Sequence, residues 1–169
     1  MELKEALLKR RSIRKFTDEP VSREEIDELL YAAMCAPSAC NRRPWEFFAV
    51  TNPELLGKLK NASFFSRHDA PLAIVVCGNL NRALPLDMAE YWIQDCSAAT
   101  ENILLRAADL GLGAVWCGIY PQPRPEKKVR ELLSLSDKQI PLSLILIGHP
   151  AEEGTDRKVY DESCIHRIN

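Results

Sequence analysis

The chain has few of the residues from which metal and nucleotide sites are usually built. Its 169 residues include six cysteines and three histidines, and no two cysteines form a C-x-x-C pair. This scatter argues against a zinc or iron–sulfur site, so we expect no bound metal. The glycines form neither a G-x-G-x-x-G dinucleotide fingerprint nor a G-x-x-x-x-G-K-[ST] phosphate loop.

Long apolar runs and an excess of basic charge are also missing. No run of about 18 apolar residues is present to span a bilayer, and no apolar signal precedes the charged residues 2–10. We therefore expect no membrane association and a reducing, cytoplasmic setting for the free thiols. The formal net charge of -2 disfavours a broad nucleic-acid-binding face.

Composition and length indicate one ordinary globular domain. Hydrophobic residues make up 46% of the chain and charged residues 27%, which is typical of a folded domain with a proper core. No internal repeat, low-complexity segment or linker divides the sequence. We expect residues 1–169 to form a single domain.

Helical periodicity predicts short amphipathic helices and one helix that is apolar on nearly every face. Residues 2–10 form the first, and Ser22 with Glu25 makes a capping box that opens a second, ending near residue 36. Residues 89–110 carry apolar side chains almost all round. Because a chain of this length has little room to surround such a helix, we expect a second copy to cover part of it. Further helices are predicted through residues 55–59 and 126–133.

Short apolar segments predict the strands. Residues 45–51 and 114–120 are short strands, whereas residues 71–78 and 142–148 are almost continuously apolar and predict buried central strands. The tail from residue 151 onward is polar and irregular in pattern.

Residues 10–14, Arg-Arg-Ser-Ile-Arg, are the strongest candidate for a binding site. The guanidinium fork matches phosphate oxygens and serine adds a short hydrogen bond, so the cluster is suited to a phosphate. For the cluster taken by itself, a solvated basic turn is the favoured interpretation.

Three further segments have both a functional and a structural interpretation. Residues 37–45 are a proline-bounded loop with Ser38 and Asn41, and they could bind a ligand or form a simple turn. Residues 111–118 are glycine-rich, which suits a flat ligand close to the backbone or a helix end that leads into a strand. In residues 62–70, Phe64 and Phe65 could stack on a substrate, although packing in the core is the favoured interpretation.

Five motifs occur in order along almost the whole chain. They are Arg10-Arg11-Ser12-x-Arg14 with Phe16, Pro37-Ser38-x-x-Asn41-x-x-Pro44-Trp45, the long helix with Asp95 and Asn102, Gly111-Leu112-Gly113-x-x-Trp116-x-Gly118, and Leu146-Ile147-Gly148-x-Pro150. Together they resemble the nitroreductase family of flavoenzymes. The resemblance implies an α+β fold with a mainly antiparallel central sheet flanked by helices. It also implies a homodimer in which the long central helix forms the dimer contact, FMN lies at the interface, and the tail reaches across to the partner.

The resemblance assigns the basic residues to FMN. Arg10, Arg11 and Ser12 would hold the phosphate and ribityl chain, and Arg14 would lie near the pyrimidine edge of the ring. Arg157 resembles a second phosphate contact. Arg67 is a weaker candidate for the positive charge near flavin N1 and O2.

The resemblance assigns the two loops to the isoalloxazine ring. The other subunit would lay Pro37, Ser38, Ala39 and Asn41 against the ring, while Cys117 and Gly118 would aim backbone N–H groups at N5 and O4. No catalytic side chain is required, because the flavin does the chemistry. The Cys117 thiol is expected to be a bystander.

The activity implied is an FMN-dependent NAD(P)H oxidoreductase. Hydride from NADH or NADPH would pass through flavin N5 to a nitroaromatic, quinone or similar electron-poor acceptor by a ping-pong mechanism. A flavoenzyme with another redox task, such as dehalogenation or flavin fragmentation, and a non-catalytic FMN-binding protein are the alternatives. Two departures stand out: Cys40 and Arg43 replace frequent glutamines in the loop, and the short chain leaves only residues 62–70 as a lid.

Overall fold

The protein is built on one four-stranded antiparallel sheet, seen in a computed structural model that describes residues 2–154 and 160–168. The spatial order of its strands makes the second and fourth central and the third an edge strand. The antiparallel sheet that the resemblance implied is confirmed. The strands, numbered along the chain, are β1 (Trp45–Val50), β2 (Leu72–Asn79), β3 (Gly113–Gly118) and β4 (Gln139–Gly148), in the spatial order β1-β2-β4-β3.

The two central strands match the predicted apolar runs, but β4 starts three residues earlier than predicted. Its first three residues include Pro141, which has no N–H group to donate to a neighbouring strand. A proline therefore weakens the prediction of a strand at this position. In the sheet, Cys77 of β2 is opposite Pro141 and Val76 is opposite Ser143, so Leu142 is the extra residue of a bulge. The bulge accommodates the proline inside the strand.

The described residues form five α-helices, of which four pack on the sheet and α1 packs on α4. The α2–α4 pair packs on one face, where Leu29 and Ile103 meet Ile74 of β2, and the α3–α5 pair packs on the other, where Leu59 and Val129 lie in the same cluster as the opposite face of the sheet. No helix in the described ranges is both long and apolar enough to cross a bilayer. The helices are α1 (Leu3–Lys9), α2 (Arg23–Met34), α3 (Pro53–Lys60), α4 (Tyr91–Asp109) and α5 (Pro123–Leu133).

The helix ends follow local sequence signals. The predicted capping box of α2 is confirmed: the Glu25 N–H donates to Ser22 Oγ at 3.2 Å and the Ser22 N–H donates to Glu25 Oε2 at 2.8 Å. The bond from the Ser22 N–H, and a second one from the Ser22 hydroxyl at 2.8 Å, hold the pKa of the Glu25 carboxyl below its usual value. Gly111, with φ +78°, follows the end of α4 in a conformation that favours glycine. Proline at the first position lets α5 begin at Pro123, earlier than predicted.

The arginine-rich segment is attached to the open edge of the sheet. The Ile13 N–H donates to the Ala114 carbonyl of β3 at 3.0 Å, and further along the Thr17 N–H donates to the His149 carbonyl at 2.9 Å. Gly113 makes the approach possible, because a Cβ there would lie 2.7 Å from Ile13 Cγ2. This attachment positions residues 10–14 beside β3.

Candidate functional site

The first part of the site is a small cavity beside the arginine cluster. Its volume is about 140 Å³, and it lies between the end of α1, the end of α4 and the segment after β4. Arg10, Arg11, Gly111 and Gly154 are among the residues that line it. Guanidinium groups around a small cavity provide suitable donors for a phosphate.

Arg10 is held in place by an acidic residue that the sequence did not single out. Its Nε lies 3.3 Å from Glu101 Oε1 of α4, and the Arg10 side chain is only 18% exposed. The pair orients the guanidinium group and partly neutralises it. Residue Glu101 carries no recognisable motif in the sequence, because its position opposite Arg10 depends on how α1 packs on α4.

Arg11 is oriented by main-chain carbonyl groups. Its Nη1 donates to the carbonyl oxygen of Leu8 and, at 2.9 Å, to that of Arg10. Gly154 comes so close to the side chain that a Cβ there would lie 2.6 Å from Arg11 Cγ. The segment after β4 therefore passes directly over the arginine cluster.

Glu152 fixes the backbone at Arg14. The main-chain N–H groups of Arg14 and Lys15 donate to Glu152 Oε1 at 2.7 and 3.2 Å. These bonds, first the one from Arg14, hold the pKa of the Glu152 carboxyl below its usual value. Arg14 Nη1 also donates to the Ser12 carbonyl at 3.3 Å. Sequence analysis missed Glu152, although an acidic pair directly after the β4 motif was a visible signal.

Cys117 lies between the arginine cluster and the lid segment, and its thiol is buried. Burial raises the pKa of the thiol to about 11, and the positive charge of nearby Arg14 opposes this shift. The Sγ–H donates to the Phe65 carbonyl oxygen at 3.1 Å. The thiol is therefore neutral and hydrogen-bonded at neutral pH, as a bystander would be.

The main-chain N–H groups of β3 point alternately towards β4 and away from it. Because the Ala114 carbonyl bonds Ile13, the main-chain groups of Ala114 point away from β4, and so do those of Trp116 and Gly118. Those of Cys117 point towards Leu144 in β4. Cys117 and Gly118 were both expected to aim an N–H group at the flavin. Of the two, only Gly118 has a main-chain N–H that points away from β4.

Gly118 borders open space. A Cβ built at this glycine meets no heavy atom within 4 Å, so the side of the strand at Gly118 is uncovered. Its carbonyl oxygen accepts a hydrogen bond from Gln122 Nε2 at 3.2 Å. A flat ligand can therefore approach the strand here without a side chain in its path.

The lid segment carries two exposed aromatic rings, contrary to the interpretation that they pack in the core. Phe64 is 74% exposed and Phe65 is 58% exposed, and their ring centroids lie 5.7 Å apart in an edge-on arrangement. The Arg67 guanidinium lies 5.4 Å from the centre of the Phe64 ring. Since Phe65 also bonds Cys117, this short turn forms a wall beside the Gly118 edge.

The loop after α2 is a second, separate cluster. The Arg43 N–H donates to Ser38 Oγ at 2.9 Å, Arg43 Nε donates to Asn41 Oδ1 at 2.8 Å, and the Ala39 N–H donates to Asp95 Oδ1 at 2.8 Å. None of the hydrogen bonds found for these loop residues in the described ranges reaches the arginine cluster. Pro37, at the start of the loop, precedes the bonded residues.

Within the described residues, the remaining features lie away from these clusters. Arg157, predicted as a phosphate contact, lies outside the described residues. No group of three or more potential metal-ligating side chains occurs within residues 2–154 and 160–168. A groove of about 750 Å³ lies beside α3, and none of the predicted site residues lines it.

The arrangement has counterparts among known proteins. The model of the nitroreductase family matches residues 7–66 and 62–149. The chain belongs to the nitroreductase family. A relative from Methanothermobacter thermautotrophicus, provisionally named NADH dehydrogenase/NAD(P)H nitroreductase, is 44% identical over 168 residues, which cover 98% of this chain and 86% of the relative.

Solved structures of this family share the fold. A crystal structure from Parabacteroides distasonis, provisionally given the same name, has a TM-score of 0.92 and 40% identity and covers 99% of this chain and 98% of that one. An FMN-dependent nitroreductase from Clostridium difficile R20291 has a TM-score of 0.86 and 35% identity, covering 97% of this chain and 98% of that one. The nitroreductase fold predicted from the five motifs is therefore confirmed.

Proposed function

We propose that this protein is an FMN-dependent NAD(P)H oxidoreductase that reduces nitroaromatic, quinone or similar electron-poor acceptors by a ping-pong mechanism. The observation that carries the proposal is the arginine cluster fixed beside the uncovered Gly118 edge of β3. Membership of the nitroreductase family supports it, as do the names of the two relatives that mention NAD(P)H and FMN.

The residues present fit FMN. A phosphate monoester needs several donors, and Arg10 and Arg11 line the 140 Å³ cavity while Ser12 is the next residue in the chain. A flat ring with polar edges needs an unobstructed surface and a backbone donor, which Gly118 offers. Both requirements are met on one edge of the sheet, and a ligand that joins a phosphate to a flat ring would use both.

Each residue then has a defined task. Arg11 and Ser12 bind the phosphate together with Arg10, whose orientation Glu101 sets. Arg14 places a positive charge at the pyrimidine edge of the ring, where it favours negative charge, and Arg67 is the second cation near that edge. When bound, FMN supplies hydride transfer through N5, first from NADH or NADPH and then to the acceptor. The exposed lid segment leaves room for both substrates to use one cleft in turn.

We further propose a homodimer that completes the site. A groove of about 470 Å³ runs between α1, α2 and α4, and its lining includes Tyr31 and Leu3, which are 71% and 69% exposed. Large exposed apolar side chains along one groove are typical of an interface. The face of α4 that carries Asn102 and Leu105 borders the same groove. A second copy seated here would cover this face, and the loop with Pro37, Ser38, Ala39 and Asn41 would contact the partner's FMN, as would the tail.

The dimer has a direct test. Sedimentation velocity at micromolar concentration is expected to give a dimer, and Tyr31→Asp is expected to shift the protein towards monomer, because a charge in an apolar interface must lose its water. Thr51→Asp adds the same charge to an exposed loop before α3 and should leave the dimer intact. A wild-type protein that sediments as a stable monomer would rule out the dimer.

The activity is tested by colour. The purified protein is expected to be yellow, with a visible absorbance that bleaches on addition of NADH or NADPH without air and returns with a nitroaromatic or quinone. Colourless protein that neither binds added FMN nor oxidises either nucleotide would rule out the proposed function. Protein that binds FMN but turns over with no acceptor would instead favour a sensing role.

A further inference from the structure

We propose that Asp95 is a positioning residue for the flavin. Its buried carboxylate on α4 holds the loop formed by residues 38–43 in the position in which that loop contacts the partner's FMN. The inference rests on the proposed function, because it gives the loop its task. It concerns a side chain that touches neither cofactor nor substrate.

The first observation is the unusual setting of Asp95. Its residue is only 7% exposed, and in the described ranges no lysine, arginine or histidine forms an ion pair with it. Burial raises the pKa of this carboxyl, and the hydrogen bond from Ala39 opposes that shift. A buried carboxylate without a counter-ion is costly, so packing alone does not explain an acid here. Its observed partner is the loop.

The second observation is the conformation of the loop itself. Cys40, Asn41 and Arg43 all have positive φ, at 49°, 53° and 47°, and none of them is glycine. Residues other than glycine rarely adopt this region of backbone conformation. They keep it only where the surrounding bonds hold the backbone there. They concentrate at binding sites, which agrees with a loop held in one shape for a ligand.

The third observation is which parts of the molecule the hydrogen bonds of the loop reach. Arg43 joins Ser38 and Asn41 within the loop, and Arg42 Nε donates to the Arg82 carbonyl at 2.9 Å. Among the hydrogen bonds found for the described loop, only the one from Ala39 to Asp95 reaches α4. The bonds within the loop set its shape, the Arg42 bond ties it to the segment after β2, and the Asp95 bond sets its position on α4.

A carboxylate suits this task better than a neutral group. A hydrogen bond to an ionised acceptor is shorter and stronger than one between neutral groups. It acts on Ala39, which lies directly between Ser38 and the left-handed residues. Ser38 and Asn41, two of the four loop residues predicted to contact the flavin, are therefore within two residues of the anchored N–H.

The experiment compares four variants. Asp95→Ala removes the anchor, and Asp95→Asn keeps an oxygen that can accept from Ala39. Ala39→Pro removes the donor at the first position of a short helical turn, where proline is tolerated, and leaves Asp95 intact. Ser97→Ala is the control, since it removes one hydrogen bond inside α4, from Ser97 Oγ to the Ile93 carbonyl.

Three measurements are made on each variant. Amide hydrogen exchange of the flavin-free protein at residues 38–43 is expected to become about tenfold faster in Asp95→Ala, and its affinity for FMN about tenfold weaker, from the loss of one hydrogen bond to a charged group. The visible bands of its bound FMN are expected to shift. Asp95→Asn should lie between Asp95→Ala and wild type in these readouts, because it keeps an acceptor for the Ala39 N–H but loses the charge. Ser97→Ala should match wild type.

The outcomes separate the two proposals. If Asp95→Ala and Ala39→Pro exchange faster but bind FMN with wild-type affinity and spectrum, the positioning role is refuted while the proposed function stands. If Asp95→Ala does not fold, Ala39→Pro makes the same test. If even the wild type binds no FMN, the proposed function fails, and the exchange data still decide whether Asp95 fixes the loop.

Discussion

Replacing Arg10 and Arg14 together by alanine is expected to weaken FMN binding by about a hundredfold to a thousandfold. Each guanidinium would make a hydrogen bond to a charged or polar edge of the cofactor, and such bonds contribute about 1.5–3 kcal/mol each. Every 1.4 kcal/mol, roughly, changes a dissociation constant tenfold. The lower part of the combined range applies, because Arg10 is already partly neutralised by Glu101.

The single variants Arg10→Ala and Arg14→Ala should differ in the interactions that they remove. Arg10→Ala leaves Glu101 beside the phosphate without its cation, so repulsion adds to the lost contact. Arg14→Ala leaves the backbone bonds to Glu152 in place, because these come from main-chain N–H groups. It therefore removes the charge near the ring and one hydrogen bond to the Ser12 carbonyl, and it should slow reduction by NAD(P)H as well as weaken binding.

FMN titration by fluorescence or absorbance measures both effects. Arg124→Ala, which removes an exposed arginine from α5, is the charge-matched control and should bind FMN like wild type. Sedimentation and circular dichroism confirm that each variant is folded. Wild-type affinity in the folded double variant would mean that the cofactor phosphate does not lie at this cluster.

Gly78→Ala is expected to destabilise the protein by about 3 kcal/mol, the upper part of the range for overpacking a core. Gly78 lies in β2 under the ring of Trp92, and a Cβ there would be 2.2 Å from Trp92 Cε3. The ring is 4% exposed and contacts Tyr120 edge-on, with centroids 5.1 Å apart. Because the indole has no free space, either the helix or the strand must move.

Thermal and denaturant unfolding test this expectation against a matched substitution. A 3 kcal/mol loss should lower the Tm by about 6–12 °C in a chain of this size. Gly57→Ala, where a Cβ meets nothing within 4 Å, should instead stabilise α3 by roughly 0.5–1 kcal/mol. Trp92→Phe combined with Gly78→Ala should recover part of the loss, and equal stabilities of Gly78→Ala and wild type would contradict the predicted clash.

Local signals in the sequence predicted much of the fold. The Ser22–Glu25 box, the glycine after α4 and the apolar runs of β2 and the later part of β4 depend on neighbours within a few residues, and each was found where predicted. The start of β4 was missed because Pro141 resembles a strand breaker until the bulge opposite β2 is seen. The exposure of Phe64 and Phe65 was missed for the reason that a short aromatic sequence is the same in a core and on a surface.

The sequence by itself determined the type of site, since the order of arginines, serine and glycines identifies the family and the anion for which its residues are suited. Only the tertiary structure decided how these residues are held. Glu101 meets Arg10 across two helices, Glu152 meets Arg14 from 138 positions away, and Asp95 meets Ala39 across 56. The alternation of β3 also decided that Gly118 rather than Cys117 presents its N–H outward. Carboxylates of this kind follow no local pattern, because their roles arise from packing between distant segments.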